Sequence, residues 1–387
     1  ISPSGASKGK NEAYEKKDKK NKFLGTSVDE NISIINNQIK NNLIGLNVED
    51  QKGIDKKLIE LDGTLNKSKF GANTIIAVSM AVLRSASKSH KVSLWEYLNT
   101  SNKKKLPIPE IQIIGGGAHA KGSIPIQDFM IIPNGASDFY TALHWTFKIY
   151  RKAGEKLYES KNLFGVADEG GYWPNFGNIT KVLDFLTSTI EDAGFTPFKD
   201  VSISLDVAAN NFKEHNQYRL SNEESLINPE KLYDTILSLI NKYPIISIED
   251  PFAEEDIEYF SKLKKNSPPY LQIVGDDLVV TNNQLIKKAA DQEAINAVLI
   301  KPNQIGTITE AFDALSLCNK LGLMSILSAR SGESEDNFIS DLSVGWNMKQ
   351  LKVGSFSRSE RLSKWNQCLR IGEQLNKKYA MHRIWDF

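Results

Sequence analysis

Val201-Ser-Ile-Ser-Leu-Asp206, Pro244-Ile-Ile-Ser-Ile-Glu249, Leu271-Gln-Ile-Val-Gly-Asp276 and Ala297-Val-Leu-Ile-Lys301 follow one another along 201–301, and each is a short apolar run closing on a charged side chain. Runs this short, separated by longer amphipathic stretches, are the pattern of repeated βα units. Strands buried on both faces read as continuously hydrophobic, which fits a parallel sheet. The stretch 307–321 supplies the helical counterpart. Ile308, Ala311, Phe312, Leu315 and Cys318 keep three-and-four spacing, Thr307 with Glu310 makes a capping box, and Gly322 stops the helix. The stretch 178–193 behaves alike, with Ile179, Val182, Leu183, Leu186 and Ile190 on one face. In a (β/α)8 barrel the catalytic groups stand at the C-terminal ends of several strands, where the loops share one rim. Asp206, Glu249, Asp276 and Lys301 all satisfy that placement, so three carboxylates and one ammonium are expected to face one another.

With 387 residues the chain holds one barrel of roughly 250 residues and a smaller domain ahead of it. The expected fold class is α/β: a modified eight-stranded (β/α) TIM-type barrel over 105–387, preceded by a smaller α+β domain over 1–104. The polar stretch 99–105, followed by Pro107 and Pro109, marks the boundary. A net charge of +1 argues against a nucleic-acid partner. Nothing in the chain reads as a membrane span or an export signal, and Cys318 and Cys368 both fall inside helical patterns, so a reduced, cytoplasmic protein is expected.

The chain opens on a small-residue loop, Ser2-Pro-Ser-Gly-Ala-Ser7-Lys8-Gly9. It reads either as a mobile lid whose hydroxyl reaches a metal or an anion, or as a plain flexible connection. The lysines that follow, Lys10 to Lys22, alternate with Glu12, Glu15 and Asp18, which predicts a solvated helix face. Helical patterns fill 28–100, the clearest over 73–87 with Ile76, Val78, Met80, Ala81 and Leu83.

The barrel begins with strands over 111–115 and 126–133, with His119 after a glycine run and Gln127-Asp128 inside the second. His119 reads either as a rim residue or as a turn feature. Phe164-Gly-Val-Ala-Asp168-Glu169-Gly170-Gly171 is a short strand ending in paired acids, explained equally by a turn and by a close approach to a ligand. After the strand 323–327, Ser328-Ala329-Arg330-Ser331-Gly332-Glu333 offers a guanidinium, a hydroxyl and a glycine at an expected helix start, a geometry suited to phosphate. Lys352 closes Gln350-Leu351-Lys352 in the same manner, and a helix over 359–379 completes the barrel.

Together these residues resemble enolase, the glycolytic hydratase, over nearly the whole chain. Ser4-Gly-Ala-Ser7, Lys69-Phe-Gly-Ala-Asn73, Asp168-Glu-Gly-Gly171, Ser247-Ile-Glu-Asp-Pro-Phe252, Gly275-Asp-Asp-Leu278, Asn303-Gln-Ile-Gly306, Arg330-Ser-Gly-Glu333 and Arg358-Ser-Glu-Arg361 match the family's signatures in the family's order. The resemblance implies a homodimer and a magnesium-dependent, reversible dehydration of 2-phosphoglycerate, a small phosphorylated carboxylate, to phosphoenolpyruvate. Family members begin some tens of residues earlier, so the smaller domain is expected to be truncated at its start.

Residue by residue, the resemblance makes Asp206, Glu249 and Asp276 the ligands of a first Mg2+, and Ser7 part of a second Mg2+ site. Lys301 becomes the base that removes the proton beside the substrate carboxylate, and Glu169 the acid that protonates the departing hydroxide. Arg330 and Ser331 grip the phosphate, His119 and Asp128 line the substrate site, and Lys352 faces the developing dianion with magnesium. The chain departs from the family at Ala329 (usually histidine), Asp128 (usually glutamate), Ala118 (usually serine) and Gly115 (usually asparagine). A misplacement of about 1 Å costs on the order of 100-fold in rate. One lost hydrogen bond to a charged group is worth ~1.5–3 kcal/mol. Proton abstraction is therefore expected to be intact and loss of water slow. Two alternatives stand beside this reading: an enolase-derived enzyme for another phosphorylated or phosphonylated carboxylate, and a catalytically impaired paralogue with a binding role.

Overall fold

The computed structural model describes residues 1–5, 8–18, 22–99, 104–120, 124–220, 225–385 and 387. Among these residues twelve strands follow in chain order: β1 Ile108–Gly115, β2 Asp128–Ile132, β3 Leu163–Val166, β4 Tyr172–Pro174, β5 Ser202–Asp206, β6 Lys213–Glu214, β7 Gln217–Tyr218, β8 Ile245–Glu249, β9 Gln272–Gly275, β10 Ala297–Ile300, β11 Met324–Ser328 and β12 Gln350–Lys352. Eight of them close a barrel in the order β1-β2-β5-β8-β9-β10-β11-β12, and β12 returns to β1 through Ile108↔Gln350 and Glu110↔Lys352. Strands β3 and β4 form an antiparallel hairpin on the flank of β1, so 163–166 is an exposed edge and not a barrel stave.

The barrel is modified at its start. Among the described residues no α-helix lies between β1 and β2, and β2 runs antiparallel to both β1 and β5. Only a crossover long enough to span the barrel makes neighbouring strands parallel, and a short return reverses them. The reversal has a chemical result: the first residue of β2, Asp128, pairs with Gly115 at the end of β1 and with Asp206 at the end of β5. Asp128 thereby joins the rim that the other strands reach with their last residues.

Below the rim the barrel interior carries a polar layer. Glu110 accepts hydrogen bonds from Ser204 and, at 2.7 Å, from Gln350, which in turn accepts from Gln272 at 3.1 Å. Apolar side chains fill the space between strands and outer helices, including Ile203, Ile245, Ile248, Ile273 and Ile300, all 1% exposed or less. The helices start where the sequence supplies a cap. Asn178 accepts from Lys181 N at 2.9 Å, Asn228 from Lys231 N at 2.8 Å, and Thr307 from Glu310 N at 3.1 Å. Gly322, at φ 70°, ends the helix Ile308–Leu321 as its spacing predicts.

Ahead of the barrel stand the helices Asp29–Ile34, which runs on through a wider turn to Leu43, Gln51–Asp62, Ala72–Ser89 and Leu94–Leu98. Ile34, Ile39, Ile54, Leu58, Phe70 and Ile75 form their own small core, while Ile76, Met80 and Leu83 on helix Ala72–Ser89 belong to the barrel's core. Among the described residues, no helix is long and apolar enough to cross a membrane.

Three expectations are corrected, the simplest being the last helix, which runs Ser359–Gln374 and stops short of 379. Of the stretch expected as a helix face, residues 8–18 form no helix, and 19–21 lie outside the described residues. Residues 8–18 run as an irregular strap, with Ala13 N donating to Gln304 O at 2.8 Å and Tyr14 N to Asn66 O at 2.7 Å, so these backbone groups are bonded to other segments and not within a helix. Likewise no helix begins at Gly332. Its N–H and C=O bridge Ser4 at 2.7 and 3.0 Å, and the next helix is Phe338–Gly345.

Candidate active site

Asp206 and Glu249 are the last residues of β5 and β8 and stand in register. Asp276 and Lys301 each follow the last residue of β9 and β10, and Lys352 ends β12. The structure therefore gathers at one mouth the groups that the sequence places at strand ends. All five are at least 93% buried, so each charge needs a partner.

Two ammonium groups divide the three carboxylates. Lys352 Nζ lies 2.8 Å from Asp206 Oδ2 and 2.7 Å from Glu249 Oε2. Lys301 Nζ pairs with Asp276 Oδ2, whose other oxygen accepts from Gln304 Nε2 at 2.8 Å. Asp206 Oδ2 also accepts from Gln127 Nε2 at 3.0 Å, and Glu249 Oε1 is buried without a hydrogen-bond partner. Burial, and then the charge of Asp206, push the Glu249 carboxyl well above the usual range. Burial would lift Asp276 too, but Lys301 and Arg330 outweigh it and hold that carboxyl low. Burial pulls the Lys301 ammonium down, yet Asp276 and Glu249 prevail and the net direction is up. Behind this ring, Asp250 accepts the backbone N–H groups of Asp276 and Asp277 at 3.1 and 2.6 Å, which fixes the turn after β9.

Among the described residues two groups of three have metal-ligand atoms within 4.8 Å of one another: Asp250, Asp276 and Asp277, and His119, Asp128 and Glu169. Asp206, Glu249 and Asp276 do not form such a group; Lys352 pairs with the first two and Lys301 with the third.

The second group forms the opposite wall. His119 Nδ1 lies 2.9 Å from Asp128 Oδ1. Burial disfavours the imidazolium, but the charge and hydrogen bond of Asp128 push the ring up to about 9. Asp128 is held low, since His119 outweighs its own burial. Glu169 is raised by burial and then by Asp128, so it keeps its proton more readily than a free glutamate. Its backbone carbonyl is held by Ser355 N at 2.8 Å, and the next carbonyl, of Gly170, by Ser357 Oγ at 2.7 Å and Tyr150 OH at 3.1 Å.

On the third side, both terminal nitrogens of Arg330 lie 3.1 Å from the carboxylate of Glu12, which the strap brings over the mouth. Arg361 Nη1 holds Arg330 O at 2.7 Å, and Nη2 holds Ser331 O. Arg361 thus shapes the loop Arg330–Ser331, which lacks the expected helix start. Ser7 lies outside the described residues.

Residues 103–384 match the family model "Enolase, C-terminal TIM barrel domain", and residues 1–98 match "Enolase, N-terminal domain". The chain belongs to the enolase family. Among its curated relatives, the enolase of Pelagibacter ubique (strain HTCC1062) is 44% identical over 385 residues, 99% of this chain and 92% of the relative. That of Ehrlichia canis (strain Jake) is 43% identical over 375 residues, 97% and 89% of the two chains.

Several residues of this enolase-family mouth carry no role in the sequence reading: Gln112, Gln127, Gln304, Asp250 and Glu12. For Gln112 a signal exists, since it is the one polar residue inside Ile111-Gln-Ile-Ile114. Gln304 sits inside the signature Asn303-Gln-Ile-Gly306 and Gln127 directly before Asp128, but an amide has no spacing rule that gives it a role.

Proposed function

We infer that the chain is an enolase-type hydro-lyase that interconverts 2-phosphoglycerate and phosphoenolpyruvate in glycolysis. The observation that carries this is the 44% identity over 99% of the chain to an enolase. Relatives at this identity do not favour the two alternatives, a retargeted enzyme or an impaired paralogue.

In our reading Asp206, Glu249 and Asp276 hold Mg2+. They offer only oxygen donors, and the unpartnered, buried Glu249 Oε1 is an acceptor in want of a cation, which suits a hard divalent ion. When bound, magnesium would stabilise the dianion that forms once the proton beside the carboxylate is gone. Lys301 is the base. Its burial disfavours the ammonium and the neighbouring carboxylates favour it, so its basicity follows the charge left on Asp276. Lys352 opposes the developing negative charge from across the ring. Glu169, with its raised carboxyl, gives a proton to the departing hydroxide, and His119 with Asp128 orients that side of the substrate. Arg330 and Ser331 take the phosphate, with Ser7 completing a second magnesium site. We further propose domains over 1–104 and 105–387, a homodimer, and a cytoplasmic location.

The test follows label at C2 and product together in deuterated water with magnesium and 2-phosphoglycerate. The protein should incorporate deuterium and form phosphoenolpyruvate. Lys301→Met should stop both, while Glu169→Gln should keep label entry and lose product. Absence of both label and product in the unmodified protein would overturn the reading.

A further inference from the structure

Gln112 is fully buried on β1, pointing into the barrel on the same side as Glu110 two residues before it. A register shift between Gln112 and Ile114 interrupts the β1–β2 ladder at this point. Bulges of this kind re-aim a side chain. Its amide uses both ends. Nε2 donates to Asp128 Oδ1, the oxygen that His119 also engages, and Oε1 accepts the N–H of Gly171 at 2.6 Å. The fit on the second side is tight. A Cβ built on Gly171 would stand 2.6 Å from Gln112 Oε1 and 3.0 Å from its Cδ. Only glycine admits the glutamine there.

Gly171 closes the turn that presents Glu169: Gly170 N donates to Ala167 O at 3.0 Å and Ala167 N to Gly171 O at 2.8 Å. Gln112 is thus the direct side-chain link between Asp128, on β2, and the turn carrying Glu169. We propose that Gln112 is a positioning residue that sets the placement of Asp128 and Glu169 relative to each other, and that its length is matched to an aspartate at 128. Oδ1 of Asp128 is shared by two donors from two directions, while Oδ2 is buried, lacks a hydrogen-bond partner and lies 4.0 Å from Lys352 Nζ. A longer acid at 128 would drive its head into the Gln112 amide. A shorter amide at 112 would let go of Asp128, of Gly171, or of both. Moving one methylene from 112 to 128 keeps the combined length.

The kinetic part of this inference rests on the hydro-lyase reading, and the spectroscopic part does not. The unmodified protein, Gln112→Asn, Asp128→Glu and the double variant are compared in kcat and KM for phosphoenolpyruvate formation with magnesium, in C2 label entry, and in the downfield ring N–H proton of His119 by NMR. Each single change should lower kcat by about 10-fold or more, with KM and label entry moved far less, and the double variant should return to within about threefold of the unmodified protein, the coupling expected of residues in contact. The His119 proton should shift in each single variant and return in the double. Losses that multiply in the double variant, or a Gln112→Asn protein with unchanged kcat and an unmoved His119 proton, would overturn the proposal. If the unmodified protein forms no phosphoenolpyruvate, the hydro-lyase reading fails instead, and the His119 proton alone decides on Gln112. Should Gln112→Asn not fold, Gln112→Met keeps the volume, removes both hydrogen bonds, and should lose kcat without rescue by Asp128→Glu; unchanged kcat in that variant refutes the role.

Discussion

Lys352 Nζ lies 2.8 Å from Asp206 Oδ2, although 146 positions of sequence separate the two residues. The same ammonium lies 2.7 Å from Glu249, so one buried cation balances two buried acids.

Removing that cation should therefore be felt in stability as well as in catalysis. Lys352→Met leaves two facing carboxylates uncompensated, and breaking a buried pair in this way costs about 3–5 kcal/mol. Denaturant titration with and without magnesium checks it. The variant should be weaker in the absence of the ion and should gain more from magnesium than the unmodified protein does. Equal gains would mean that Lys352 and the ion do not share these acids.

His119 gives a pH signature. Its folded-state value, about 9, exceeds the ordinary 6.5, so the stability it contributes is complete below about pH 6.5 and disappears as pH rises through 9. The span corresponds to about 3 kcal/mol. Thermal melts between pH 6 and 10 should show this loss, and His119→Gln should flatten the profile. An identical slope in the variant would assign the titration to another group.

The first turn of helix Ile308–Leu321 is capped largely by side chains from the helices ahead of the barrel. Ser79 Oγ accepts Ile308 N at 3.0 Å, and Asp55 Oδ2 accepts Thr309 N at 3.0 Å and Thr309 Oγ1 at 2.6 Å. Asp55 is fully buried, so Asp55→Ala strands those donors and should cost about 1–3 kcal/mol, with Asp55→Asn milder. Chemical denaturation measures both. A neutral Asp55→Ala would show that water replaces the cap.

Ala329 stands at the mouth beside Arg330, its N–H donating to Lys352 O at 2.9 Å. The family's usual residue there is histidine, so Ala329→His should speed phosphoenolpyruvate formation by about 10-fold, the lower range for one hydrogen bond to a charged group. Label entry at C2 should change little. Steady-state assay of product against label separates the two, and no gain in product would show that the missing histidine limits nothing.

The ring was legible in the sequence because a strand buried on both faces must be apolar until it reaches the rim. Asp206, Glu249 and Lys352 are the last residues of their strands, and Asp276 and Lys301 the next ones along. Asp128 obeys the opposite rule, as the first residue of a reversed strand, and the signal of the reversal is the shortness of the stretch between the first two strands rather than any residue pattern. Gln127 and Gln304 have no role in the sequence for a related reason: an amide's role lies in which partners the fold brings to it, and even for Gln112 its place in an apolar strand marks only that it is unusual. The strap over 8–18 misled because alternating charge is equally compatible with a helix face and with a chain whose backbone is bonded elsewhere. The missing helix at Gly332 has the same origin, in a distant partner, Ser4.

The backward-running β2 also decides how the two walls of the mouth can diverge. Gln112, His119 and Asp128 belong to one hairpin, their contacts spanning 16 and 9 positions, whereas the opposite wall joins residues 103 and 146 positions apart. The departures at Gly115, Ala118 and Asp128 all fall on that hairpin. Apart from Glu169, which the turn after β3 brings in, the hairpin's wall is folded from one piece and can be revised by neighbouring substitutions that adjust to one another, while the wall assembled from distant strands tolerates change only when several remote positions shift together.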